Sequence, residues 1–401
     1  MKIALALRSF GPHRGDLGAF TFELARRLVS VKNDVHVVAE DFSVGDVELP
    51  VVAHRIRATR SPLRRAAAAE AELDSIGADV VHDLGLTWCA DVHTSPVGSP
   101  TRMWNSQLTG TPWWRRPFKR LGSRLNPRFG QRAELARRQL EDSDAIIVAE
   151  SEMVANDYRS LHGIAEDRIR VVHTGIDIKK FSPHVRKLRR ETTRRKLGID
   201  GKTILLLSLM EESQQGTWKT TFRALRRLVA KQVPVALVLA TSEGMGPVER
   251  LADRFNVAKH VQIIDKVSDR IPFYAAADAL LAPTLYSPFG AAVLEAAACG
   301  LPCITTQQNG VSELLTDGTD GYVLERFSAV DLVERIKSLG DSSRLERMGR
   351  AARRTAMAHP FDRSVARLLQ IYEEVAETRG GKHILAIPNR SGRTSPARRA
   401  A

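Results

Sequence analysis

Cysteine is scarce: Cys89, Cys299 and Cys303 are the three thiols in 401 residues. Three thiols exclude a disulfide framework and a four-ligand zinc site, and a reducing cytoplasm is the default compartment. Gly300 and Pro302 separate Cys299 from Cys303, so these two read as buried packing residues rather than a pair on one helical face. Long apolar runs are also missing; none approaches the ~20 residues of a membrane-spanning helix. The opening Met1–Arg8 run is too short for a signal peptide and reads as a buried strand. With 43% hydrophobic and 26% charged residues the chain is neither disordered nor fibrous. Its length admits two to three domains at roughly 150 residues each.

Acid is missing from particular places. Residues 92–133 hold eight Arg and Lys and no Asp or Glu. Residues 179–196 hold nine against Glu191 alone, and residues 379–401 hold six against none. These segments account for the net charge of +14; the remainder is mildly acidic. The first also carries Trp104, Trp113, Trp114, Phe118 and Phe129. Aromatics beside cations suit an anionic membrane surface, or a surface loop whose tryptophans pack inward. No helix-turn-helix, zinc-finger or RNA-recognition pattern accompanies the charge, so nucleic acid is not expected as a partner. The Gly-, Ser- and Pro-containing tail 379–401 is expected to be disordered.

What is present is a twice-repeated β-α-β pattern. Lys2–Arg8 reads as a strand, Ser9–Gly18 as a loop with three glycines, and Ala19–Ser30 as a helix with Phe20, Leu24 and Leu28 on one face. Short apolar strands follow at Val35–Ala39, Asp79–His82, Ala145–Val148 and Arg170–His173. The pattern restarts with strands at Thr203–Ser208, Val235–Ala240, Val261–Ile264, Ala279–Ala282 and Cys303–Thr305. Apolar strands without alternation suit parallel sheets covered on both faces. The expected architecture is α/β, with two Rossmann-like, doubly wound domains facing a cleft. We place them at 1–178 and 201–360, with a basic linker at 179–200. A helix at 361–378 is expected to pack back on the first domain.

The richest stretch is Ala282–Glu325. Ser287-Pro288 reads as an N-cap followed by proline at the first helical position, and Gly300 as the residue past the helix end. Phe289-Gly290 then sits at a helix start, where free N–H groups and the dipole favour a phosphate. Glu295 lies about 12 Å along the axis from Ser287, in reach of ribose hydroxyls.

This stretch resembles glycosyltransferase family 4, the retaining enzymes of the GT-B fold that use sugar nucleotides. The family pattern E-x-F-G-x-x-x-x-E-A-x-A-x-G-x-P is matched at Phe289, Gly290, Glu295, Ala296, Ala298, Gly300 and Pro302. Gly310, Glu313, Asp317, Gly318 and Gly321 match the elements that follow it. His173-Thr174-Gly175-Ile176-Asp177, with Phe181 and Pro183, is similar to the family's interdomain N-G-V-D-x-x-x-F-x-P. The resemblance covers about residues 1–378. It implies that Glu295 binds the nucleotide ribose, the alternative being a structural helix acid. It further implies that Phe289, Gly290, Val293 and Leu294 border the donor diphosphate, and that the glycine-rich loop at Gly15 approaches it. His93 is similar to a family histidine that contacts the transferred sugar, with His82 and Asp83 as further candidates. No metal or cofactor is implied beyond the sugar nucleotide itself. In the family the leaving phosphate takes the acceptor proton.

Several positions depart from the pattern. Ser287 stands where the family's first glutamate touches the transferred sugar. The loop Met210–Gly216, where the family carries an Arg and a Lys, has Glu211 and Glu212, and Gln215 in the lysine position. Lys219 and Arg14 are the cations that could compensate. The expected function is therefore transfer of a hexose-type sugar to a glycan or lipid-linked acceptor, as in lipopolysaccharide or other cell-envelope synthesis. The setting would be cytoplasmic or peripheral on the inner membrane face. The alternative is a weakly active or non-catalytic binding protein of the same fold.

Overall fold

The computed structural model describes residues 1–43, 49–210, 215–241, 246–265, 267 and 269–385. The first lobe runs β1 (Lys2–Ala6), β2 (Ser9–Phe10), α1 (Gly15–Ser30), β3 (Asp34–Ala39), β4 (Asp41–Phe42), β5 (Val52–Arg55), α2 (Pro62–Ile76) and β6 (Val80–Asp83). It continues with β7 (Val92–Thr94), α3 (Pro100–Thr109), α4 (Arg116–Leu125), α5 (Pro127–Leu140), β8 (Ile146–Ala149), α6 (Glu152–His162) and β9 (Ile169–Val171). The second lobe runs α7 (Pro183–Lys196), β10 (Ile204–Met210), α8 (Gln215–Ala230), β11 (Val235–Thr241), α9 (Gly246–Arg254), β12 (Val261–Asp265) and α10 (Ile271–Ala276). It ends with β13 (Ala279–Ala282), α11 (Ala291–Ala298), β14 (Cys303–Thr306), β15 (Gly321–Leu324), α12 (Ala329–Ser338) and α13 (Ser342–Met357). A last helix, α14 (Phe361–Leu385), follows.

The strand orders are β5-β3-β1-β6-β7-β8-β9 and β12-β11-β10-β13-β14-β15, all pairs parallel. The order reverses beside β1 in one sheet and beside β10 in the other, which places a crevice off the carboxyl ends of each. Helices cover both faces, so the strands are apolar throughout: Leu5, Val37, Leu206, Leu237 and Leu281 are fully buried. Strands β5, β7 and β15 lie outside those read from the sequence; β5 is mostly exposed and β7 carries His93 and Thr94, so neither of these two shows an apolar run. Helix α1 begins at Gly15, four residues before the expected start at Ala19.

The segment expected to be a linker contains a helix. Ser182-Pro183 opens α7, whose buried face is built from arginines rather than aliphatics. Arg186 donates to Ala277 O at 2.9 Å, Arg190 to the same carbonyl at 2.8 Å and to Asp278 at 2.5 Å. Arg194, which is buried, donates to Ala276 O at 3.0 Å, Asp278 at 3.1 Å and Thr203 O at 2.7 Å. These guanidinium groups satisfy the open carbonyls at the end of α10, as cations at a helix C-terminus do. The helix belongs to the second lobe.

The chain crosses between lobes twice, and the crossings bind each other. Ile176 N donates to His359 O, and Phe361 N to Ile176 O, both at 3.0 Å. A side chain at Gly175 would meet Pro360 O at 2.6 Å, so glycine is what permits the approach. Helix α14 then lies on the first lobe, where Val365, Leu368, Ile371 and Tyr372 share a core with Leu5, Leu24 and Val37. Residues 379–385 continue that helix, against the expectation of a disordered tail from 379; residues 386–401 lie outside the described residues.

Candidate active site

The sheets' carboxyl ends open on an interdomain cavity of about 210 Å³. The first lobe contributes Asp16 and Leu17 at the start of α1, His82 on β6, Thr94 and Ser95 at the end of β7, Glu150 after β8, and His173 and Thr174 after β9. The second contributes Ser287 through Val293 and Asn309. A pocket that swallows a drug-sized ligand measures roughly 300–1,000 Å³. A ligand larger than one sugar ring must therefore part the lobes or extend beyond this cavity.

The start of α11 differs from the sequence expectation. Its N-cap is Gly290, at φ +81°, not Ser287. The reason is long-range: Ser287 N donates to Gln308 O at 2.9 Å, Gly310 N to Ser287 O at 3.0 Å and Val311 N to Phe289 O at 2.7 Å. Residues 287–289 are thus held like a strand edge, and the helix starts at Ala291. Val293 N donates to Gly290 O at 3.0 Å. The open donors of the first turn are then those of Ala291 and Ala292, both on the cavity wall. Val293 and Leu294, expected to offer their N–H groups, bury their side chains in the core. Phe289 is buried there too, its ring 6.0 Å from that of His173. Glu295 lies four residues past the true helix start, about 6 Å along the axis.

Glu295 sits in a hydrogen-bonded cluster that joins the lobes. The Tyr274 hydroxyl donates to Glu295 Oε2 at 2.7 Å, and Arg270 Nη1 lies 3.4 Å from the same oxygen. Arg270 Nη2 donates to Asp16 Oδ1, on α1 of the other lobe, at 2.7 Å. Burial raises the Glu295 pKa above the usual carboxylate value, opposed by Arg270 and Tyr274. Burial would lower that of Arg270, but Asp16 and Glu295 together hold it raised. The cluster keeps a carboxylate and a cation close to the helix start, where a nucleoside diphosphate would need both.

The histidines sort by strand alternation. In the β6–β7 register Asp83 pairs with His93, and His82 lies on the opposite face. His93 is buried, with Nδ1 2.8 Å from Asp83 Oδ2, while Gln139 donates to the same oxygen at 2.9 Å. Asp83 Oδ1 accepts from Leu86 N at 2.7 Å and Thr87 N at 2.9 Å. His93 and Asp83 therefore serve an internal network and do not line the cavity. His82 does, held 2.6 Å from the Tyr372 hydroxyl and 2.8 Å from Thr94 Oγ1. Burial, with the nearby His93, pushes its pKa down to about 3, so it is neutral at ordinary pH.

The other sequence candidates lie outside the cavity wall. Gly15, at φ +71°, begins α1 next to Asp16. Arg14 pairs with Asp41 at 2.9 Å. Gly216 is in the first turn of α8, and Lys219 is exposed on the same helix. Glu211 and Glu212 lie outside the described residues. Glu150, Asp16 and Arg270 are what the sequence reading missed. The available signal was position: Glu150 directly follows an apolar strand whose carboxyl end faces the crevice.

Further contacts tie the lobes beside the cavity. Ser151 Oγ donates to Pro288 O at 2.7 Å, and Ser99 N to the Tyr286 hydroxyl at 2.9 Å. Glu313 accepts from Glu152 N at 3.0 Å, at the start of α6, and also bonds His173 Nε2. A carboxylate of one lobe thus caps a helix of the other.

Two parallel-sheet lobes closing on such a cavity define the GT-B glycosyltransferase class. Residues 17–180 match the domain described as Glycosyltransferase Family 4, and residues 189–355 that described as Glycosyl transferases group 1. The chain belongs to this glycosyltransferase family. It is 27% identical over 281 residues to a D-inositol 3-phosphate glycosyltransferase of Pseudarthrobacter chlorophenolicus, covering 67% of this chain and 64% of that one. It is 28% identical over 253 residues to spore coat protein SA of Bacillus subtilis, covering 58% and 66%. The matches thus span slightly less than two thirds of these relatives. WaaG, a glycosyltransferase involved in lipopolysaccharide biosynthesis, superposes with a TM-score of 0.74 at 21% identity, over 94% of this chain and 99% of that one. HepE from Anabaena, solved in complex with UDP and glucose, superposes with a TM-score of 0.67 at 17% identity, over 95% and 99%.

Proposed function

We propose that the protein moves a hexose-type sugar from a nucleoside-diphosphate sugar to a hydroxyl of a glycan or lipid-linked acceptor, with retention. The observation that carries this reading is the opening of α11 on the interdomain cavity, with Glu295 one turn inside. The helix start would hold the diphosphate, Glu295 the ribose, and the first lobe the acceptor. Lobe closure would exclude water. No cofactor is required beyond the donor. The test is a thermal-shift and product-release panel with UDP-, GDP- and ADP-glucose. Stabilisation with release of the nucleoside diphosphate is expected; no stabilisation by any of them refutes the reading. One observation favours a second reading, a binding protein: Ser287 leaves the second lobe's wall without a carboxylate among the described lining residues. Nucleotide binding with no sugar release would select it.

An anionic membrane is the proposed docking surface. No helix among the described residues is long and apolar enough to cross a membrane. On α4, Phe118, Leu121 and Leu125 are 73%, 56% and 74% exposed and share one helical face, with Trp113 at 79% just before it. The tryptophans at 113 and 114 do not pack inward; Trp104 does stack on Phe129, centroids 4.7 Å apart. Arg115 precedes this helix and Lys119 and Arg120 lie on its other side, and no acid lies between 92 and 133. Rings at headgroup depth beside cations are the pattern of an interfacial helix. Cosedimentation with phosphatidylcholine vesicles containing phosphatidylglycerol checks it. Trp113→Ala with Phe118→Ala is expected to weaken binding about 100-fold, at ~1.5 kcal/mol per buried ring. Equal binding to vesicles lacking phosphatidylglycerol, or no effect of the substitutions, counts against it.

A further inference from the structure

A buried amide oxygen at the start of α11 has no partner. Asn309 is 3% exposed and lines the cavity. Its Nδ2 donates to Thr305 Oγ1 at 3.1 Å, and Thr305 Oγ1 itself donates to Ala282 O at 2.9 Å. Thr305 can therefore only accept from Asn309, which fixes the amide with its nitrogen on Thr305 and Oδ1 turned the other way. Oδ1 is buried against Gly290 and makes no hydrogen bond among the described residues. Nor does the Asn309 side chain cap the short turn Gly310–Leu314 that it precedes, a use to which an asparagine oxygen is commonly put. A buried acceptor left without a donor costs stability, so such an oxygen calls for a function. Ser287 pairs with Asn309 across the adjacent backbone and lines the same wall.

We propose that Asn309 Oδ1 reads a hydroxyl of the donor's hexose, with Ser287 beside it. This rests on the glycosyl-transfer reading. An amide oxygen only accepts, so its ligand must donate. The diphosphate of a sugar nucleotide offers acceptors, the ribose hydroxyls fall to Glu295, and the base lies beyond the ribose. The hexose hydroxyls are the donors that remain. Position agrees: Oδ1 packs on Gly290, the N-cap of the helix whose opening would hold the diphosphate. The first lobe covers this corner, Ser151 lying against Gly310 with its Oγ bonded to Pro288 O. Parting of the lobes, which the size of the cavity already demands of a sugar nucleotide, uncovers the oxygen. A neutral acceptor here selects a hexose with a hydroxyl at the position it reaches and discriminates against the deoxy sugar. It does so without placing a negative charge beside the diphosphate.

The experiment titrates the full-length protein with UDP-, GDP- and ADP-glucose. Whichever binds is followed by its monodeoxyglucose analogues and by the bare nucleoside diphosphate. The wild type should bind one analogue about tenfold more weakly than the parent. Asn309→Ala should lose about tenfold in affinity for the parent and hold the parent and that analogue within about twofold of each other. Its affinity for the nucleoside diphosphate should stay within about threefold. A merely structural Asn309 would weaken every ligand alike and leave the ratio of parent to analogue untouched. Thr305→Val keeps Oδ1 but removes the acceptor that orients the amide, so it should narrow the same ratio, and it decides the matter if Asn309→Ala proves unstable. An unchanged ratio in the variant that folds overturns the proposal, as does a wild type that binds every analogue as tightly as the parent. A wild type that binds none of the three donors overturns the transfer reading, and the proposal with it.

Discussion

Alanine at Gly290 should remove nucleotide binding and lower the thermal midpoint by several degrees. Two independent costs meet at this residue. Its φ of +81° is in the left-handed region, which costs an L-residue about 1–2 kcal/mol. A Cβ would also come within 2.7 Å of Asn309 Nδ2 and closer still to Oδ1. Asn309 cannot swing away freely, because it is buried and Nδ2 donates to Thr305 Oγ1 at 3.1 Å. Either Asn309 or the start of α11 must shift, adding about 1–3 kcal/mol of overpacking. Gly318 is the control: its φ is +76°, but a side chain there meets open space. Gly318→Ala should therefore show the backbone cost alone. Urea unfolding of both variants, with nucleotide titration, makes the comparison. Equal losses in the two would mean that the fit between Gly290 and Asn309 does not matter.

Glu295→Ala should weaken UDP, GDP or ADP binding about 10- to 100-fold while the protein stays folded. Hydrogen bonds to a charged group contribute about 1.5–3 kcal/mol each, and a ribose offers two hydroxyls to one carboxylate. Folding survives because Arg270 keeps Asp16 as a partner at 2.7 Å and is partly solvated. Tyr274 is left with Ala292 O, 3.3 Å from its hydroxyl. Isothermal titration with each nucleotide checks the affinity, and far-UV circular dichroism the fold. Unchanged affinity would make Glu295 only the acid that holds Tyr274 and Arg270.

The parallel sheets and the two-lobe architecture were legible because central parallel strands must be apolar on both faces. The site was legible at its start and blurred within. Ser287-Pro288 carries a sound local capping signal, but backbone pairing with residues 308–310 overrides it, and no local window contains that pairing. His93 lies off the cavity wall because one step along a strand exchanges cavity for interior. Helix α7 was hidden by its composition: Arg186, Arg190 and Arg194 recur at helical spacing, yet a search for apolar periodicity passes over a buried face made of cations. Glu150 follows its strand in full view, but an acid after a strand is common. Only the folded structure places this one on the cavity wall.

The last helix has a consequence for how the molecule is made. The ribosome delivers β1 long before α14, yet Ile371 and Tyr372 complete the hydrophobic interior around Leu5 and Val37. The lobe translated earliest thus cannot seal until the second lobe has left the exit tunnel, although domains usually fold in order of emergence. A product truncated near residue 360 would leave Leu5's neighbours open to solvent, and its aggregation would reveal the missing helix rather than any fault in the lobe itself.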